Sequence, residues 1–188
     1  MMNAPLAERI RPKTLNDYLS QQHLVGPKGA LTAQLASGIL PSMIFWGPPG
    51  TGKTTLATII ANQSKRPFFS LSAVDSGVAA VREVIEKAKK TDTLFTTKNP
   101  ILFIDEIHRF SKSQQDSLLG AVEKGLITLI GATTENPSFE VIPALLSRCQ
   151  VYVLKAFSRK DLEDLLKRAL EIDEKLSKKK VSLKETEA

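Results

Sequence analysis

Residues 42–64 read SMIFWGPPGTGKTTLATIIANQS. The short apolar run SMIFW (42–46), ended by Gly47, suits a strand buried in a parallel sheet. Leu56, Ile59, Ile60 and Gln63 then recur at helical spacing and predict a helix over 53–64. Between the two, GPPGTGKT (47–54) fills every position of the pattern G-x-x-x-x-G-K-[ST]. A glycine- and proline-rich turn matching by chance would lack the strand before it and the helix after it. Gly50 and Gly52 allow backbone dihedrals closed to other residues and a close approach to an anion. Backbone N–H groups of the loop and of the helix start then face phosphate oxygens. In this pattern Lys53 reaches the β- and γ-phosphates and the Thr54 hydroxyl ligates magnesium. The nucleotide-binding candidates are therefore Gly47, Pro48, Pro49, Gly50, Thr51, Gly52, Lys53, Thr54 and Thr55, with ATP and Mg2+ as cofactors.

Outward from this loop, strand and helix patterns alternate. Strands are expected over 67–73, 101–105, 126–132 and 150–154. Between the first two, Val78, Val81, Val84, Ile85 and Ala88 line one face of a helix over 77–90, followed by a polar connection over 91–100. Ser111 with Gln114 has the spacing of a capping box and starts a helix running to about Lys124. Residues 135–149 read as a loop and one short helical segment whose length Pro143 limits. Five strands alternating with helices predict an α/β fold with a five-stranded parallel sheet between helices on both faces. Residues 1–41 are punctuated by proline and glycine and read as short helical turns and loops. After Lys155, Ser158 and Asp161 open an amphipathic helix carrying Leu162, Leu165, Leu166 and Ala169, and the end of the chain is charged. The expected organisation is a nucleotide-binding core over 1–156 and the start of a helical lid over 157–188.

A phosphate loop needs an acid for its metal at the end of a neighbouring strand. ILFIDE (101–106) supplies two. Asp105, after four apolar residues, is the magnesium-side acid. Glu106, one residue beyond, can accept a proton from the water that attacks the γ-phosphate, or orient it. His108 has no ligand partner at metal spacing, since His23 is far away in sequence. Ordinary hydrogen bonding is its expected role, with a switch near the γ-phosphate as the alternative. Thr133 and Thr134 follow a strand, and strand ends line the ligand crevice of such sheets. The Thr133 hydroxyl can touch the γ-phosphate or position water with Glu106. Arg148, just before the last strand, reads in isolation as a surface arginine, and offered to a neighbouring subunit's nucleotide it would stabilise transition-state charge. Cys149 reads as a small buried residue without chemistry.

The chain of 188 residues carries a net charge of +6, spread along its length, with a pI near 9.4. The balance favours a polyanionic partner only weakly. A single cysteine excludes an internal disulfide and points to a reducing cytoplasm. No secretory leader is visible at the start. No apolar run approaches the ~20 residues that span a bilayer, so no membrane association is expected.

In the order GPPGTGKT, ILFIDE, GATTENP and LLSRC, these motifs resemble the AAA+ ATPases. PLAERIRP, FIDEIHRF, QQDSLLGAVEKG and above all TTENPSFEV are similar to the replication-associated recombination protein A group, which includes Werner-helicase-interacting protein. The resemblance covers roughly residues 4–172. It implies the three-layer AAA+ fold and an ATP hydrolase acting at stalled replication forks in the bacterial cytoplasm, associated with the nucleoid. It implies DNA (fork, gapped or single-stranded ends) and single-strand-binding protein as partners, and a homo-oligomer. By the same resemblance Ile10, Arg11, Pro12, His23, Leu24 and Val25 lie near the adenine, and Arg148 is the finger acting in trans. A longer protein with a second sensor arginine in its lid is implied, making this chain an ATPase core and the start of the lid. Two other readings use the same loop. An ATP-gated scaffold or clamp-loader-like subunit would turn over little, and a small metabolite kinase would need an acceptor pocket that the motifs do not supply.

Overall fold

The computed structural model describes residues 4–73, 77–92 and 99–178. Most of the polar connection expected over 91–100, and the charged end beyond 178, lie outside the described residues. In chain order the elements are helices α1 (Leu6–Arg9), α2 (Gln22–Val25) and α3 (Ala30–Ser37), strand β1 (Met43–Trp46), helix α4 (Lys53–Ser64) and strand β2 (Phe68–Ser72). Helix α5 (Val78–Asp92), strand β3 (Ile101–Asp105), helix α6 (Lys112–Glu123) and strand β4 (Thr128–Thr133) follow. Helices α7 (Pro137–Glu140) and α8 (Pro143–Leu146), strand β5 (Gln150–Val153) and helix α9 (Arg159–Ile172) complete the order. Contacts divide the chain into two compact units, one of residues 21–156 and one joining the residues up to 20 with those from 157 onward. The first twenty residues group with the later segment rather than with residues 21–156.

In the larger unit the described strands form a five-stranded sheet in the order β2-β3-β4-β1-β5. Every neighbouring pair is parallel. Parallel neighbours require crossovers, which the helical segments between strands supply. Ile44, Leu102, Ile104 and Leu129 pack on one face with Val81, Val84 and Ala88 of α5 and with Leu118 and Ala121 of α6. The alternate residues Met43, Phe45, Ile101, Phe103 and Ile130 face the other way and are equally buried. There α4, with Leu56, Ile59 and Ile60 buried, lies against β3 and β4. Burial on both faces is why these strands are continuous apolar runs rather than alternating ones. At about 1.5–3 kcal/mol for each fully buried large side chain, the two layers hold the sheet from both sides.

Local signals explain the element ends. Ser111 Oγ accepts from Gln114 N at 3.3 Å, and Gln114 Oε1 accepts from Ser111 N at 2.8 Å, which is the reciprocal cap expected at the start of α6. Several ends differ from expectation by one or two residues, and two of the differences have a visible cause. Strand β4 begins at Thr128 rather than at 126, because the Leu126 and Ile127 amides donate to Ala121 O at 2.9 and 3.5 Å and stay with the end of α6. The segment after β4 is two four-residue helices, and Pro143 opens the second instead of limiting the first. A first-turn proline sacrifices only an N–H that has no helical partner.

The smaller unit is tied by two arginines. Arg9 Nε and Nη2 donate to the two carboxylate oxygens of Asp173 at 2.6 and 3.1 Å. Arg168 donates from Nη2 to Asp17 Oδ1 and from Nη1 to Asp17 O, both at 2.7 Å. The planar fork of arginine favours such two-point contacts. These pairs account for the first twenty residues joining the later segment. Ser158 and Asp161 form the capping box of α9. Among the described residues no helix is long and apolar enough to cross a membrane.

The Arg9 hydrogen bond holds the Asp173 carboxyl below its ordinary value, against the opposing effect of burial. A depressed folded-state value contributes stability that is present above the unfolded carboxylate value of about 4 and is lost as pH falls through the folded value. Hydrogen-exchange protection of residues 4–20, corrected for intrinsic rates, should hold from neutral pH down to about 4 and then fall. In Asp173→Asn it should already be low at neutral pH, and unchanged protection in that variant would rule out this tie.

Candidate nucleotide site

The site begins where the central strands end. Trp46 is level with Thr133 of β4 and with Val153 of β5. The Gly47 amide donates to Thr133 O at 3.2 Å, and the Leu154 amide donates to Trp46 O at 2.7 Å. A Cβ on residue 47 would stand 2.3 Å from Leu154 O, so only glycine fits this crossing. The loop then arches outward through exposed Pro48, Pro49 and Gly50. Gly50 and Gly52 take φ of 77° and 89°. The buried Thr51 hydroxyl donates to Pro48 O at 2.9 Å and braces the arch from inside. Gly52 caps α4 without a side-chain acceptor, so no side chain covers the first amides of the helix. Lys53 is 7% exposed, and its ammonium donates to Gly47 O at 2.7 Å and Pro48 O at 2.9 Å. Burial lowers its pKa, while the charges of Glu106 and then Asp105 act in the opposite direction. The structure thus brings Lys53 within electrostatic reach of both acids.

Asp105 closes β3, level with Ser72 of β2, and its carbonyl accepts from Ala73 N at 3.1 Å. Glu106 follows in the left-handed region at φ 54° and ψ 47°. That conformation costs a residue with a Cβ about 1–3 kcal/mol and persists only where neighbours enforce it. Here Asp105 Oδ1 accepts the Glu106 amide at 3.2 Å, and Glu106 O accepts the Arg109 amide at 2.8 Å. Residues Ile107–Arg109 form a 3-10 turn, and fully buried Ile107 seats it on β4. Gly131 provides the seat, since a Cβ there would lie 3.0 Å from Ile107 Cδ1 and 2.7 Å from Ile44 Cδ1. The turn carries His108 to Glu106, with Nε2 at 3.3 Å from Glu106 Oε2. The other ring nitrogen, Nδ1, lies 3.0 Å from Thr133 Oγ1. Thr133 is fully buried, and its hydroxyl accepts from Glu135 N at 3.0 Å with Glu135 O at 3.2 Å.

The remaining expected residues are spread more widely. His23, Leu24 and Val25 form most of α2, where a His23 ring nitrogen meets Val153 O at 2.9 Å and Leu24 is buried. Ile10, Arg11 and Pro12 belong to the smaller unit, and Arg11 pairs with Glu8 at 2.7 Å. Arg148 follows α8, donates from Nη1 to Ala144 O at 2.5 Å and forms an ion pair with Glu123 at the end of α6. Both side chains of that pair are exposed. Cys149, expected to be buried, is half-buried, and desolvation pushes its thiol up to about 12. Among the described residues no cluster of three or more His, Cys, Asp or Glu could hold a metal unaided. A magnesium ion that keeps its waters and shares substrate phosphates needs no such cluster, and one hydroxyl and one carboxylate suffice. Sequence reasoning left two partnerships unseen, His108 between Glu106 and Thr133, and Glu123 beneath Arg148. No spacing rule joins residues 25 positions apart on different elements.

Residues 43–156 match the model of the ATPase family associated with various cellular activities (AAA). Replication-associated recombination protein A of Escherichia coli K12 is 52% identical over 167 residues, 89% of this chain and 37% of that protein. ATPase WRNIP1 of Dictyostelium discoideum is 52% identical over 169 residues, 90% of this chain and 19% of that protein. The chain therefore spans well under half the length of these relatives. Among solved structures, the RuvB Holliday junction branch migration motor of Thermotoga maritima superimposes with a TM-score of 0.70 at 30% identity, covering 87% of this chain and 54% of that one. The matched segment holds every strand of the sheet together with the loop, the acid pair and Thr133, and on that match the chain belongs to the AAA family of ATPases.

Proposed function

We propose that this chain binds ATP with magnesium where β1, β3 and β4 end, hydrolyses it, and serves as the motor module of a protein that maintains DNA during replication and recombination. The observation that carries the proposal is a buried lysine, an acid pair whose second member Glu106 is left-handed, and a buried threonine hydroxyl along one edge of the sheet. The names of the relatives, one a replication-associated recombination protein and one a branch migration motor, support the DNA setting.

Each role follows from chemistry. The amides of Gly50–Thr55 cradle the phosphates at the start of α4. Lys53 already points its ammonium along the loop, and turning it from two carbonyls to phosphate oxygens exchanges neutral acceptors for charged ones. Thr54 and Asp105 would hold magnesium, whose chemistry is to neutralise charge on the β- and γ-phosphates. Glu106 takes a proton from the attacking water or orients it, and Thr133 contacts the γ-phosphate. Residues 23–25 are the proposed base contacts of the larger unit. Arg148 acts on the nucleotide of a neighbouring subunit. An exposed ion pair is worth at most about 1 kcal/mol, so its contact with Glu123 opens cheaply. DNA and single-strand-binding protein are the proposed partners, and a homo-oligomer is the proposed assembly.

Glu106→Gln in the full chain should lower kcat for ATP hydrolysis by about 100-fold or more while ATP still binds. Wild-type turnover in that variant would refute the assignment. Mixing Arg148→Ala with Lys53→Ala protein should restore part of the turnover, because hybrid interfaces pair an intact loop with an intact finger. Mixed oligomers that form without such rescue would place Arg148 outside the trans role.

A further inference from the structure

We propose that His108 is a positioning residue that links Glu106 to Thr133, fixing one carboxylate oxygen so that the other is presented to water. The inference rests on the reading of Glu106 as the water-directed acid and Thr133 as the phosphate-side hydroxyl. Both ring nitrogens are engaged, Nε2 with Glu106 Oε2 at 3.3 Å and Nδ1 with Thr133 Oγ1 at 3.0 Å. The His108 side chain is 13% exposed and Thr133 is fully buried, so water does not readily replace either contact.

The protons can be assigned from the partners. A carboxylate only accepts, so Nε2 carries the hydrogen. In that tautomer Nδ1 is the acceptor, and the Thr133 hydroxyl donates to it. That hydroxyl receives the Glu135 amide at 3.0 Å, which leaves its single proton for Nδ1 or for Glu135 O at 3.2 Å. The proposed bridge runs from Glu135 N–H to Thr133, from the Thr133 hydroxyl to His108 Nδ1, and from His108 Nε2 to Glu106 through a 3.3 Å ion-pair contact. Thr133 fixes the ring and its tautomer, and the ring fixes the carboxylate. Two features hold the turn under the ring. Ile107 is buried over Gly131, and Glu106 O is bonded to Arg109 N at 2.8 Å. With the backbone fixed, the Glu106 side chain still has its own rotamers, and the imidazole favours the one that meets Nε2. Thr133 has a single proton, so a phosphate oxygen that takes it competes with His108 Nδ1. Phosphate contact and carboxylate placement are thereby coupled through one ring.

The test combines kinetics with direct observation of the ring. In the full chain His108→Ala and His108→Gln should each lower kcat by about 10-fold to 100-fold, with KM for ATP, ATP affinity and melting temperature near those of the unaltered protein. Combining His108→Ala with Thr133→Ala should cost less than the product of the two single losses. Nitrogen-15 spectra of the unaltered chain should place the His108 hydrogen on Nε2, and Thr133→Val should disturb the Nδ1 resonance. Unchanged kcat in both His108 variants, fully multiplicative losses, or a hydrogen on Nδ1 would each overturn the bridge. If the variants fail to fold, the tautomer in the unaltered chain decides. Glu106→Gln separates the two levels: inactive Glu106→Gln with fully active His108→Gln removes the bridge alone, whereas active Glu106→Gln removes the reading beneath it.

Discussion

The site depends on the register of a parallel sheet at the edge where its strands end. Trp46 stands level with Thr133, and Ile104 stands level with Gly131. Two residues beyond Ile104 and Gly131 the chain reaches Glu106 and Thr133, so the acid and the hydroxyl arrive at the same depth as the mouth of the phosphate loop. A slip of one residue in any of these strands would turn the side chain to the other face. The Gly47 amide on Thr133 O and the Leu154 amide on Trp46 O close the register at this edge. Gly47 permits the second crossing, because any side chain there would strike Leu154 O.

At this edge the local rules are broken, and the surrounding packing sustains the breaks. Glu106 occupies a left-handed conformation, and Lys53 is a buried cation. Each is destabilising alone. The first is held by the Asp105 carboxylate, the Arg109 amide and the seat of Ile107 on Gly131. The second is offset by two loop carbonyls and two nearby carboxylates. Ser20, Gln21 and Lys65 also take positive φ, but at this edge a left-handed acid and a buried lysine are combined, which is what a functional site looks like.

Much of this was legible in the sequence. Four apolar residues before Gly47 and before Asp105 marked strands buried in a parallel sheet, and the spacing of Leu56, Ile59 and Ile60 marked α4 with its observed ends. Ser111 and Gln114 predicted their own reciprocal cap. What could not be read depended on distance along the chain. Arg9 and Asp173 are 164 residues apart, and their pair draws the first residues to the later segment instead of to the core. Thr133 and His108 are 25 residues apart and meet only because the turn after β3 is seated on β4. Pro143 was read as a limit on a helix, yet proline equally starts one, and only the backbone before it decides which. The left-handed Glu106 left no trace, since glutamate carries no signal for that conformation as glycine does.

Cleavage of the terminal phosphate of a bound nucleotide is the proposed role of the site, and the setting on DNA is proposed upon it. Phosphate release from ATP by the full chain, with and without magnesium and with and without forked DNA, tests both together. The account predicts release that requires magnesium, rises when forked DNA is added and disappears in Lys53→Ala. Release indifferent to forked DNA, or persisting in Lys53→Ala, would contradict it.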